Sequence, residues 1–200
     1  MRVLLDVQGL LGQRLQEALS QQHDVRVLDG DPRHRETAAR ATAGVDAVIS
    51  AVPDATSTQD ESLPALDRAS RGLFNLVTTA SAGGGSRFVL LSSLRPFERY
   101  PLDYAVTEFW APRPTTDLED LIPFVSEAVV REASHAVPLT AICLRMGVNP
   151  EMVPGASGRV GRPGRLVATN KGTAATEARR SGRRTRFGHW PPRADARIRD

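Results

Sequence analysis

The stretch LLDVQGLLGQRLQEAL, residues 4–19, decides how the rest of the chain is read. An apolar run ends at Asp6, and Gly9 and Gly12 follow three residues apart. Leu11, Leu15, Ala18 and Leu19 then recur at helical spacing. A buried strand, a glycine turn and an amphipathic helix in that order make a place for an anion. Glycines let the backbone approach a phosphate, and the helix N-terminus aims N–H groups at it. Asp6 stands where a first glycine is expected in such a turn. A carboxylate there repels a phosphate, and a side chain crowds the turn, so weakened phosphate binding is the expectation.

Working outward, the same alternation continues for about 150 residues. Residues 2–5 read as a buried strand. Val25, Val27 and Leu28 form a second, stopped by Asp29-Gly30-Asp31-Pro32. TAARATAG is a short helix ending at Gly44, and VDAVISAV is a third strand closed by Pro53. Residues 61–80 read as one long helix with Leu63, Leu66, Leu73, Leu76 and Val77 inward. RFVLLSS is a fourth strand, residues 118–134 a helix with an N-cap near Thr116 or Asp117, and LTAICLRMG a last strand. The fold class is therefore α/β, a Rossmann-type parallel sheet with helices on both faces.

After Pro150 this pattern stops. Residues 1–150 carry a net charge of −5, whereas residues 151–200 carry +8 and are rich in Arg, Gly, Pro, Ala and Thr. The chain thus divides into a folded domain, 1–150, and a mostly disordered basic tail, 151–200, which has too little apolar surface to offset its ordering entropy. Three readings of the tail stand side by side. It is a solvated tail, an out-of-frame extension after a truncation, or an arm for an anionic surface in which EARRSGRRTRFGHW supplies charge and two aromatics. It carries no base-reading module, so nucleic acid is not the expected partner. No run approaches the roughly 20 apolar residues of a membrane span. Cys143 is the only cysteine, which excludes an internal disulfide and fits a cytoplasmic setting. His23 and His135 have no second ligand at metal-binding spacing, so no metal is expected.

The order of these segments resembles the extended short-chain dehydrogenase/reductases of the nucleotide-sugar epimerase and dehydratase type. Asp6, Gly9 and Gly12 take the places of the glycines in that family's G-x-x-G-x-x-G turn. VRVLD ends in Asp29, where the family keeps an acid for the adenosine ribose. GVDAVISAV resembles the strand whose end, at Ala51 and Val52, passes beside the cofactor. RGLFNLVTTA resembles the family's G-T-x-N-L helix through Gly72 and Asn75, and RFVLLSS the strand that delivers a catalytic Ser or Thr, here Ser93. The resemblance implies a cofactor, NAD with NADP possible, contacted by Asp6, Gly9, Leu11, Gly12, Asp29, Ala51, Val52 and Ser92. Arg33 and Arg35 lie near enough in sequence to meet a 2′-phosphate.

The family's chemistry also uses a tyrosine and, four residues on, a lysine, one helical turn apart. On the matching helix Pro123 falls at the tyrosine and Glu127 at the lysine, with Phe124 one place off. Tyr104 and Glu108 have the right mutual spacing, but an acid next to a phenol raises its pKa, the wrong direction. Tyr104 and Tyr100 are accordingly read as loop anchors. The region that selects a substrate in extended members follows their last matching strand, and the basic tail stands there instead. The resemblance thus implies a dinucleotide-binding protein of oxidoreductase or epimerase ancestry without a recognisable acid–base pair; the alternatives are a non-catalytic dinucleotide sensor or scaffold, or a truncated product without function.

Overall fold

A computed structural model describes residues 1–53, 59–101, 106–147 and 167–170. Tyr104, the 150/151 boundary and the aromatic-basic stretch of the tail lie outside the described residues. The elements run β1 (Arg2–Asp6), α1 (Gly9–Ser20), β2 (Asp24–Val27), α2 (Arg35–Thr42), β3 (Ala47–Ala51) and α3 (Gln59–Asp67). A π-helical segment, Arg68–Gly72, joins α3 to α4 (Leu73–Ala82). β4 (Arg87–Ser93), a 3-10 turn (Arg95–Phe97), α5 (Leu118–Ala136), β5 (Thr140–Met146) and β6 (Val167–Asn170) complete them.

The sheet order is β2-β1-β3-β4-β5-β6. The first five strands are parallel, and β6 pairs antiparallel to β5, with Cys143 opposite Thr169. Continuous apolar runs such as Val3-Leu4-Leu5 are buried because parallel strands are covered on both faces. One face packs against α2, α4 and α5 through Leu4, Val48, Phe88 and Leu90, which meet Ala38, Leu76, Val77 and Val130. On the other face, α1 lays Leu11 and Leu15 against Leu5 and Leu91. Chain direction reverses about β1: β2 lies on one side of it and β3 on the other. Ligands of open α/β sheets sit at the carboxyl ends of strands at such a switch point.

Two details depart from the sequence reading. The single helix expected over residues 61–80 is interrupted by the π-helical segment, and Leu63, expected inward, is 75% exposed. A π turn inserts an extra residue and rotates everything before it out of phase with the face that follows. Leu73, Leu76 and Val77 are buried as expected. In addition, four residues of the basic tail form β6, a strand with no period-2 signal in the sequence.

Candidate functional site

The β1–α1 turn lies at the switch point, and its two glycines do different work. Gly9 has φ +67°, and a Cβ there would meet nothing within 4 Å. The position demands glycine for its backbone conformation, and the space above it is open. At Gly12 a Cβ would lie 2.1 Å from the Val7 carbonyl oxygen, so this glycine lets α1 pack onto the end of β1. Gln8, the N-cap of α1, makes no side-chain capping bond, and the first turn holds no acidic residue. The helix therefore presents uncapped N–H groups and unopposed positive dipole beside an open backbone surface, which fits a dinucleotide's phosphate.

Asp6 does not confront that space as an unpaired charge. It lies opposite Ser50 in the β1–β3 register and is 7% exposed. The Ser50 hydroxyl donates to its Oδ2 at 2.7 Å, and Arg68, first residue of the π-helical segment, donates from Nη2 to its Oδ1 at 2.5 Å. Burial pushes the Asp6 carboxyl above its ordinary range, against the opposing pull of Arg68 and Ser50. The repulsion expected from an isolated carboxylate is thus met by a guanidinium from another element. A small pocket beside the pair is lined by Pro32, Ala51, Pro53, Gly72, Leu73 and Leu76.

The remaining cofactor candidates surround this crevice unevenly. Asp29 is exposed just past β2. Ala51 lines the pocket, and Val52, whose N–H bonds the Leu91 carbonyl, is partly buried against the core. Leu11 packs beneath α1 on the second core face. Arg33 is engaged by Asp31, whose carboxyl its guanidinium holds below the ordinary range, and lies 3.9 Å from Asp67. Arg35 is exposed at the start of α2. Asn75 donates from Nδ2 to the carbonyls of Pro32 and Arg33, both at 3.0 Å, and so ties α4 to the loop after β2.

A second cluster occupies the place where the family resemblance puts the acid–base pair. Ser92 is buried and donates to Glu127 Oε1 at 2.6 Å. Arg145, its register neighbour on β5, binds Glu127 through Nε at 3.0 and 3.1 Å and through Nη2 at 2.7 Å. The side chains of Arg145 and Glu127 are 10% and 12% exposed. Phe97 lies under the Arg145 guanidinium at 4.5 Å. Pro123 is buried within α5. Ser93 accepts the Arg95 N–H at 3.2 Å at the start of the 3-10 turn. Tyr100 donates its hydroxyl to the Ala111 carbonyl, stacks edge-on with Trp110 and carries the Arg113 guanidinium over its ring. It anchors the loop before α5. Burial raises the Cys143 thiol, with Glu127 adding to the effect, which leaves it no thiolate for nucleophilic work at neutral pH. No metal-holding group of His, Cys, Asp and Glu is present among the described residues, and none of their helices is long and apolar enough to cross a membrane.

Sequence reasoning missed Arg68, Ser50 and Arg145. Arg145 and Ser50 lie in strands read only for their apolar pattern. Arg68 had no motif; the only available signal was that a carboxylate buried at a strand end needs a counter-charge.

A family model described as NAD(P)H-binding matches residues 10–113. No curated protein matches the chain. Among solved structures, a short-chain dehydrogenase/reductase superfamily protein from Agrobacterium tumefaciens with bound NAD is 22% identical, with a TM-score of 0.66 over 73% of this chain and 49% of that one. UDP-glucose 4-epimerase from Thermus thermophilus in complex with NAD is 18% identical, with a TM-score of 0.64 over 77% of this chain and 58% of its own. UDP-glucose 4-epimerase from Thermotoga maritima with UDP-glucose is 15% identical, with a TM-score of 0.66 over 80% and 60%. These likenesses establish the fold, and the chain spans between about half and three fifths of the length of those proteins.

Proposed function

The chain belongs to the NAD(P)H-binding family, and from that premise we propose that it binds NAD(P) at the β1–α1 turn and does not turn over a substrate. The observation that carries the binding reading is Gly9, whose left-handed backbone and open Cβ position lie at the uncapped N-terminus of α1. Several solved structures with the same fold are described with NAD or NADPH bound. In this reading Gly9 and the first turn of α1 hold the pyrophosphate, Asp29 receives the adenosine ribose, and Ala51 and Val52 form the wall beside it. With Asp29 in place and Arg33 engaged by Asp31, NAD is favoured over NADP. The only cysteine fits a reducing, cytoplasmic setting.

The non-catalytic half of the reading rests on Glu127. When bound, NAD(P) supplies a hydride donor or acceptor, and hydride transfer to a carbonyl or from an alcohol needs a proton partner. At the position matched to the family's lysine, Glu127 is held by Arg145 and Ser92. Pro123, at the tyrosine's position, has no ionisable group. Ser93 offers one hydroxyl and no base to drive it. Absence of positioned acid–base help costs about 10²–10⁴-fold in rate. The reading is therefore of a dinucleotide sensor or scaffold derived from an oxidoreductase or epimerase.

Nucleotide titration by calorimetry tests it. NAD binds with Kd of about 0.1–1 mM, or roughly −5.5 to −4 kcal/mol, and Gly9→Val abolishes binding because a branched side chain fills the pyrophosphate's place. Equal affinity in Gly9→Val refutes the site. Appreciable turnover of a nucleotide sugar or alcohol with NAD(P) refutes the non-catalytic reading, and its loss in Tyr104→Phe would make Tyr104 the proton donor.

A further inference from the structure

We infer that Arg68 is a phosphate-binding residue of this dinucleotide site, carried on the helical run between β3 and β4 and fixed by Asp6, the residue that replaces the turn's first glycine. The inference rests on the cofactor site proposed above. An aspartate in a phosphate-binding turn is intelligible only with its partner. Asp6 is inside the sheet's carboxyl edge, 5% exposed at its side chain, while the Arg68 side chain is 25% exposed. The buried end of the pair is thus the acid and the end nearer solvent is the cation. Among the described residues the Arg68 guanidinium hydrogen-bonds Asp6 alone, and through Nη2 alone. A guanidinium has five N–H donors in a rigid plane, so among the described residues Nε and Nη1 keep donors for a second anion.

The position suits an adenosine phosphate. Arg68 and Asp6 line a small pocket with Ala51 at the end of β3, Pro53 after it and Pro32 after β2. That places the cation at the sheet's carboxyl edge, among the ends of β1, β2 and β3. The pair is neutral overall, so the turn's lost glycine leaves no net negative charge. A phosphate that reaches Arg68 meets an already oriented donor, and charge-assisted bonds of this kind are the strong ones. The phosphate is either the one joined to the adenosine 5′ oxygen, present in both NAD and NADP, or the 2′-phosphate of NADP alone.

Removing Arg68 by itself strands a buried carboxylate and risks unfolding, so the decisive comparison is made without it. Asp6→Gly and Asp6→Gly/Arg68→Met are titrated with NAD and with NADP, followed by chemical-shift changes of the nucleotide, after circular dichroism confirms that both fold. The expected result is a loss of about 10- to 100-fold in affinity on adding Arg68→Met, with a weaker dependence of Kd on salt. A loss for both nucleotides assigns the contact to the 5′ side; a loss for NADP alone assigns it to the 2′-phosphate. Equal affinities and equal salt dependence in the two variants overturn the inference. Asp6→Gly/Gly9→Val separates the two readings. If Gly9→Val abolishes binding in that background while Arg68→Met leaves it unchanged, only the role of Arg68 falls. If Gly9→Val also leaves it unchanged, the cofactor site falls and the inference with it.

Discussion

Single positions carry most of this site's individuality. The two turn glycines separate a steric demand from a conformational one. At Gly12 any side chain runs into the Val7 carbonyl, which is backbone and cannot swing aside. Gly12→Ala should therefore destabilise the domain by about 3 kcal/mol. Gly9→Ala meets no neighbour and should cost only the left-handed backbone, about 1–2 kcal/mol. Thermal unfolding of the two variants reads the difference directly, and a larger loss at Gly9 would contradict it. Glu127 is the second such position. Restoring the family's lysine by Glu127→Lys would put two cations together where Arg145 is 10% exposed. Breaking a buried pair costs about 3–5 kcal/mol, and denaturant unfolding should show that loss. Adding Arg145→Met should recover part of it by removing the stranded cation. Unchanged stability in Glu127→Lys would mean that the pair contributes nothing to the fold.

At the scale of elements, the helical run from Gln59 to Ala82 does the positioning. Its π-helical segment presents Arg68 to the end of β1, and α4 then returns to the core phase with Leu73, Leu76 and Val77 buried. In that same turn Asn75 grips the loop after β2 through two carbonyls. Those two bonds satisfy backbone acceptors of a loop that has no strand or helix of its own. Asn75→Ala should cost about 1–3 kcal/mol and speed amide exchange in residues 30–36, next to Asp29, more than in β1 or β4. Exchange that rises uniformly across the sheet would point to global destabilisation instead.

For the molecule as a whole, the strand order puts the β1–α1 turn at the reversal between β2 and β3, and the cofactor proposal depends on that placement. One sheet face is covered by three helices and the other, among the described residues, by α1 alone. We propose that the folded unit is residues 1–150, to whose sheet edge the Arg-rich segment 151–200 adds, among the described residues, only β6. Brief trypsin digestion, read by mass spectrometry, should leave a core that retains β1 through β5 and loses the basic C-terminal residues. A full-length chain that resists trypsin despite 11 arginines and one lysine after residue 150 would contradict this division.

The local pattern of residues 1–150 was enough to specify five strands, the intervening helices and the glycine turn. Each is encoded by neighbours a few positions apart: apolar runs for buried strands, helical spacing of leucines for α1 and α5, glycines where the backbone must turn or approach closely. It was enough, too, to mark Asp6 and Glu127 as departures from the family pattern. Only the tertiary structure decided what those departures mean. Asp6 and Arg68 are 62 residues apart, and Glu127 and Arg145 are 18 apart on a helix and a strand. No periodicity connects such pairs; the parallel register and a π-helical turn bring them together. The exposure of Leu63 belongs to the same class, because an inserted turn shifts helical phase without leaving a mark in composition. The antiparallel strand β6 does as well, since its partner, β5, was legible from the sequence and its own residues carried no alternation.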